Sequence, residues 1–269
     1  MVAMANLSVS SVERGLAVLE LLVNHDGGLQ VSSISQQLSL PLSATHRLLQ
    51  ALVSAHYVRQ DASSERYLPT LKLGAMGLRL LAGTSVTEVA QPILDDLAHQ
   101  TGELVRLAVV EDSEMIWVAK AQGATSAIRC DPISGHHVPL HTTGMGKAWL
   151  ASMPEEEAIA MVEARGFDCE LLGPNAIRTI AALREEIRKT RELGFAFNDQ
   201  ESELGLSAIA MLIKERNKAD RVVGAVSIGG PTFRVDRERL LSFVEPLRAA
   251  IDQLEQLWPV RAHAIAKAR

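Results

Sequence analysis

Apolar residues recur at helical spacing from near the start of the chain. Between residues 10 and 25, Val12, Leu16, Leu19 and Val23 follow one another at steps of 4, 3 and 4, one face of a 3.6-residue period. Gly27 and Gly28 mark the stop. A second short helix is predicted over about 31–38, with Val31, Ile34 and Leu38 on one side, followed by the turn Ser39-Leu40-Pro41. A third helix, about 42–54, buries Thr45, Leu48, Leu49 and Leu52. Residues 57–60 and 66–68 then flank the polar turn Asp61-Ala62-Ser63-Ser64 as a hairpin. Three short helices and a hairpin within about 70 residues make a winged helix-turn-helix plan.

Residues 71–84 (LKLGAMGLRLLAGT) read as a linker helix. From about 85 the pattern changes. A helical stretch through Val89, Ile93 and Leu97 contains Pro92, which predicts a kink or a restart. Strands are predicted at 104–110, 115–120 and 126–130, a helix from Gly144 to about 152, and another opened by a capping box at Ser152–Glu155. The three glutamates 155–157 fall in that helix's first turn, where its dipole favours acids. A helix over 179–193 leads to strands at 194–198, 206–213 and 222–228, with KERNKADR as a polar hairpin loop. Asp236 caps a last helix to about 257, with Leu240, Val244, Leu247, Ile251 and Leu254 on one face. Helices around an antiparallel strand set give an α+β fold. The expected division is 8–70 for DNA binding, 71–84 for the linker helix and 85–258 for the second domain.

Composition narrows the class. No apolar run reaches the roughly 18 residues of a membrane helix. The N-terminal segment lacks a basic stretch followed by an apolar one, so no secretory leader is expected. The two cysteines, Cys130 and Cys169, are far apart and fit a reducing cytoplasm. The net charge of −5 argues against a bulk-basic nucleic-acid binder. Residues 1–70 hold four arginines, no lysine and five acids. DNA binding must therefore come from local placement. On the third helix the buried stripe leaves Leu42, Ser43, Ala44, His46, Arg47 and Gln50 outward. Arg47 suits a guanine edge, Gln50 an adenine, and Ser43 a phosphate at the helix start. Arg59 and Arg66 are phosphate candidates on the wing.

The chain resembles the IclR-type regulators over about residues 8–257. The likeness rests on SVERGLAVLELL, LSLPLSATHRLLQALVSAHYVRQD, VPLHTTGMGKAWLAS, GFAFNDQESELGLSAIA and VVGAVSIGGPTFRVDRERL, in this order. It implies a winged helix joined to a GAF-like effector domain, acting on double-stranded DNA as a homodimer or homotetramer. It also implies an effector site lined by Gly144, Met145, Asn198, Ala208, Ser227 and Gly229. Family members often carry an acid, a cysteine and a serine where this chain has Asn198, Ala208 and Gly229. With the acid absent, Asp199 is a candidate replacement. These departures point to a carboxylic acid larger and less polar than a short oxo acid.

Other chemistries fit less well. GMGK lacks the Gly at 141 and the Ser or Thr at 148 that a Walker A loop needs; His141 and Ala148 stand there. His136, His137, His141 and Cys130 match no metal-ligand spacing, and no cofactor is implied. An enzyme using Asp199, Glu201 and the histidines would need a nucleophile–base pair or cofactor fingerprint, and neither is present. A second domain that only dimerises is the remaining alternative. The linker residues Leu71, Leu73, Met76, Leu78 and Leu80 are candidates for a dimer contact.

Overall fold

The computed structural model describes residues 10–131, 135–169, 171–216 and 218–258. The leader reading, residues 8 and 9 of the first domain and Asn217 of the hairpin loop lie outside the described residues. The chain divides into two compact units, Met1–Gly83 and Thr84–Arg269.

The first unit contains α1 (Ser11–Val23), α2 (Val31–Gln37), α3 (Leu42–Ser54), β1 (Val58–Gln60), β2 (Tyr67–Pro69) and α4 (Leu71–Thr84, ending at the boundary). Ser10 and Glu13 cap α1 reciprocally, satisfying two backbone donors at its start. Val18, Leu19, Leu22, Ile34, Leu49, Val58 and Tyr67 form the core. This corrects the expected face of α1: Val12, Leu16 and Val23 are exposed. The helix carries two overlapping apolar stripes, and a core this small takes only the one centred on Leu22. The wing is an antiparallel pair with Arg59 opposite Leu68. Its turn is closed by Asp61 Oδ1, which accepts bonds from Ser63 and Ser64.

The second unit contains α5 (Val86–Thr101), β3 (Leu104–Glu111), β4 (Glu114–Gln122), α6 (Gly144–Ala151), α7 (Glu155–Arg165), α8 (Ile180–Leu193), β5 (Ala196–Asp199), β6 (Leu206–Glu215), β7 (Lys218–Pro231), α9 (Arg237–Ser242) and α10 (Val244–Leu257). The strands make one antiparallel sheet in the order β4-β3-β7-β6-β5. Strand residues alternate between its faces. Val105, Leu107, Ile209, Met211, Val226 and Ile228 join α5 and α10 in one core. Ala108, Ala210 and Ala225 face α6, α7 and α8 in the other. The small residues on that second face let α6 lie close to the sheet.

Five expectations change. Of the kink or restart expected at Pro92, the restart does not occur and α5 runs unbroken; the carbonyl that proline deprives of a partner belongs to Glu88, at an exposed position where water can serve it. Residues 126–130 are not a strand; they are held by single bonds, Gln122 Nε2 to the Cys130 carbonyl and Arg234 to the Ile128 carbonyl. Ser152 does not cap α7. Its hydroxyl turns back to the Trp149 carbonyl, and Pro154 takes the cap position. The strands extend into KERNKADR until Glu215 pairs with Lys218. The last helix breaks at Phe243, whose ring is buried against α5 and the sheet's first core.

Candidate functional site

Two sites emerge, one per unit. In the first, α3 has Pro41 at its cap and no side-chain cap bond. Pro41's carbonyl accepts from Ala44 and Thr45, so the earlier N–H groups of Leu42 and Ser43 stay at the open end of the helix. Ser43, His46, Arg47 and Gln50 are exposed on one side and Ala44 is half-buried, while Thr45 and Leu49 are buried on the other. Arg59 lies exposed on β1. Arg66 is exposed too, but its guanidinium donates to the Gly28 carbonyl at 3.0 Å, so it also braces the loop after α1.

The second site is a cavity of about 400 Å³ over the sheet's second face. Its floor follows from the register. Leu104, Gly229, Ala208 and Asn198 form one row across β3, β7, β6 and β5; Arg106 and Ser227 begin the next. Gly144 and Met145 at the start of α6 close it from above. The structure thus brings six of the seven sequence-derived residues around one space. Asp199 is the exception. It is the next residue along β5 from Asn198, so its side chain points to the opposite side and is exposed, and it is absent from the lining. It does not stand in for the missing acid.

The start of α6 is firmly set. Thr143 Oγ1 accepts from Gly146 N–H at 3.0 Å and donates to the Pro139 carbonyl at 2.7 Å. The N–H groups of Gly144 and Met145 precede the first intrahelical bonds. Behind the helix, Lys147 is 1 % exposed. Its ammonium meets both oxygens of Glu201 at 2.5 and 2.6 Å and Glu186 at 2.8 Å. Burial raises the Glu201 carboxyl above its ordinary range, and Glu186, competing for the same ammonium, adds to the rise. A lysine so engaged points away from any phosphate a P-loop would hold.

Arg106 and Trp117 are functional candidates that the sequence reading missed. The Arg106 guanidinium lies 3.6 Å from the Trp117 ring centroid, and burial draws its pKa down to about 10. A signal was present. In LVRLAVV the arginine shares its face with Leu104 and Ala108, so a charge sat on the inward side of a strand. The loop histidines do other work: His141 bonds the Phe167 carbonyl and His137 pairs with Glu114. Among the described residues no three His, Cys, Asp or Glu side chains converge as a metal site.

Family models match both units: the IclR helix-turn-helix domain over residues 11–62 and the bacterial transcriptional regulator IclR C-terminal domain over residues 78–256. The chain belongs to the IclR family of transcription regulators. Its relatives are regulators, not enzymes. The HTH-type transcriptional repressor AllR of Escherichia coli K12 is 30% identical over 259 residues, 96% of this chain and 94% of AllR. A transcriptional regulator from Rhodococcus sp. RHA1 superposes with a TM-score of 0.74 at 28% identity, covering 91% of this chain and 96% of that one. The inducer-binding domain of an Acinetobacter PobR double mutant, in complex with 3-hydroxybenzoic acid, superposes at 0.56 with 26% identity, over 62% of this chain and 96% of its own. An IclR-family helix-turn-helix is a DNA-binding domain, and among the described residues no helix is long and apolar enough to cross a membrane.

Proposed function

We propose that this IclR-family regulator binds an operator through α3 and the wing, and that a carboxylic acid in the cavity over the sheet sets the strength of that binding. Residues 8–70 act as the DNA-binding domain, 71–84 as the linker helix and 85–258 as the effector domain. The protein acts on a double-stranded DNA operator in the cytoplasm. The observation that carries the effector reading is the cavity itself: apolar walls from Leu104, Trp117, Met145 and Leu171, with the half-buried Arg106 guanidinium and the start of α6 also lining it. Apolar walls with a few fixed donors are what an organic acid needs. The hydroxybenzoic acid bound by the PobR domain supports this class of ligand.

Arg47 is the first residue to test. Arg47→Ala is expected to weaken binding to an operator, selected from a random duplex pool, by about 1–3 kcal/mol, the worth of one bidentate base contact. Fluorescence anisotropy reads this directly. An unchanged isotherm removes Arg47 from the reading set, and an operator complex that no organic acid alters removes the effector reading.

The regulator also works as a dimer or larger. One recognition helix spans too few base pairs for useful specificity. Leu71, Met76, Leu78 and Leu80 expose their side chains along α4, with Leu71 90% and Leu78 70% accessible. Leu73 does not belong to that group, because it packs on the first unit's core. Sedimentation at micromolar concentration is expected to show a dimer or tetramer, and Leu78→Glu with Leu80→Glu to shift it towards monomer. A monomeric wild-type chain overturns this assembly.

A further inference from the structure

Asn198 stands on β5 opposite Ala208, with its side chain among those that line the cavity. The direction of its amide follows from its partners. The backbone N–H of Glu201 can only donate, and it lies 3.0 Å from Asn198 Oδ1. That N–H is itself held in place: the Glu201 carbonyl accepts from Gly173 at 2.7 Å, and the Glu201 carboxylate grips the Lys147 ammonium. The amide oxygen therefore faces the loop after β5, and the nitrogen is the group that remains. It gives one hydrogen to Ser202 Oγ at 2.6 Å and keeps a second. Ser202, having accepted, has its own hydroxyl hydrogen to give. Both side chains line the cavity and both are buried, Asn198 3% and Ser202 4% exposed.

Other polar groups in the lining are already engaged. Arg106 is not free, and its guanidinium is stacked on the Trp117 ring. The Thr143 hydroxyl donates to the Pro139 carbonyl. The carboxylates Asp131 and Glu203 are exposed, and Asp131 pairs with Lys120. A ligand that displaces water from the Asn198–Ser202 wall must bring lone pairs to it, or leave buried donors unpaired. A carboxylate or a carbonyl oxygen does this, and an amine does not. Nδ2 and Oγ stand close enough for one such group to meet both. An aspartate at position 198 would undo the wall twice. Its second oxygen would offer lone pairs where Nδ2 offers a hydrogen, and it would take the Ser202 hydroxyl hydrogen for itself.

We propose that Asn198 and Ser202 form an acceptor-selecting wall of the effector site: the bound acid presents a bare oxygen to them, from its carboxylate or from a carbonyl, and an acid that would place an amine there is rejected. This rests on the reading of the cavity as the effector site. Asn198 is the residue that sets the polarity, because the loop behind it holds its amide one way round.

Calorimetry on the full-length protein tests this with benzoate, 4-formylbenzoate and 4-aminobenzoate, and with hexanoate and 5-oxohexanoate. At least one acid is expected to bind and to change the affinity for operator DNA. If the wall holds the carboxylate, Asn198→Asp weakens every acid that binds by about ten-fold or more, and Ser202→Ala by about three-fold. If it holds the carbonyl, the formyl or oxo acid binds about ten-fold more tightly than its parent, and both variants erase that gain. Either pattern supports the proposal and tells the two oxygens apart. An Asn198→Asp protein of unchanged melting temperature that keeps the wild-type affinities overturns it. So does 4-aminobenzoate, if it outbinds benzoate and Ser202→Ala erases that gain. Should Asn198→Asp not fold, Ser202→Ala and a crystal structure of the wild-type complex decide. An oxygen within hydrogen-bond distance of Asn198 Nδ2 and Ser202 Oγ is expected, and an amine or an apolar group there overturns the proposal. Acids that bind and alter DNA affinity with no response to either variant leave the effector site standing and remove only this wall. Silence from every acid removes both.

Discussion

Lys147→Met is expected to destabilise the second unit by about 3–5 kcal/mol, the loss typical of breaking a buried ion pair from one side. In a unit of this size that lowers the melting temperature by roughly 10 °C. Methionine matches the lysine stem, so the cost is electrostatic. Lys147 is 1% exposed, and its ammonium is shared by two carboxylates, Glu186 and Glu201. Without it the two acids face each other across a buried gap. The pH dependence separates this cause from a packing defect. The Glu201 carboxyl already sits above its ordinary range in the folded protein, through burial first. A group whose folded pKa is raised contributes stability that is full below its unfolded pKa and is lost as pH climbs through the folded value. Removing the ammonium raises that carboxyl further. The deficit of Lys147→Met relative to wild type is therefore expected to shrink as the pH is lowered. Adding Glu201→Gln is expected to recover much of it at neutral pH. Urea unfolding across a pH series measures both, and a deficit that stays constant with pH would assign the loss to packing instead.

The elements legible in the sequence are those where local pattern and tertiary context agree. α3 and α8 have a single apolar stripe each, with clear ends at Pro41 and Gly194. The wing had a polar turn between short apolar strands. α1 misled because its apolar residues surround the helix, and only packing chooses which stripe is buried. Ser152 matched a capping pattern that Pro154 pre-empted, since proline at the cap fixes the backbone without needing a side-chain bond. The cavity was half legible. Gly144, Met145, Asn198, Ala208, Ser227 and Gly229 were reached through likeness to a family; the sheet register explains why the last four, so distant in sequence, share one floor, and α6 brings the first two over it. Arg106 and Trp117 needed the structure, because their pairing crosses β3 and β4 through a register shift between Leu107 and Ala108 that no local pattern reports. Gly229 also reads differently in three dimensions. A Cβ there would come within 2.9 Å of the Ala208 Cβ, so its missing side chain is partly a packing requirement between β7 and β6 and not only added room for a ligand.

Gly146→Ala is expected to cost about 3 kcal/mol, at the upper end for one added methyl in a packed interior, and to abolish the effector response. A Cβ at this position would lie 2.4 Å from the Leu140 Cα, 2.5 Å from the Leu140 carbonyl oxygen and 2.6 Å from that of Pro139. All three are backbone atoms, so no side-chain rotation relieves the contact. Either the 139–140 segment or the start of α6 must move. The same two segments are joined by Thr143, whose hydroxyl accepts from Gly146 N–H and donates to the Pro139 carbonyl. Pushing them apart therefore breaks the cap as well, and displaces the Gly144 and Met145 N–H groups from the cavity roof. Thr143→Val separates the two effects. It removes the cap bond without adding a clash, and is expected to cost about 1 kcal/mol while leaving measurable effector binding. Urea unfolding and calorimetry on both variants give the comparison. If Gly146→Ala unfolds with the wild-type midpoint and still binds its acid, the start of α6 has slack, and the roof of the site is not fixed by this close approach.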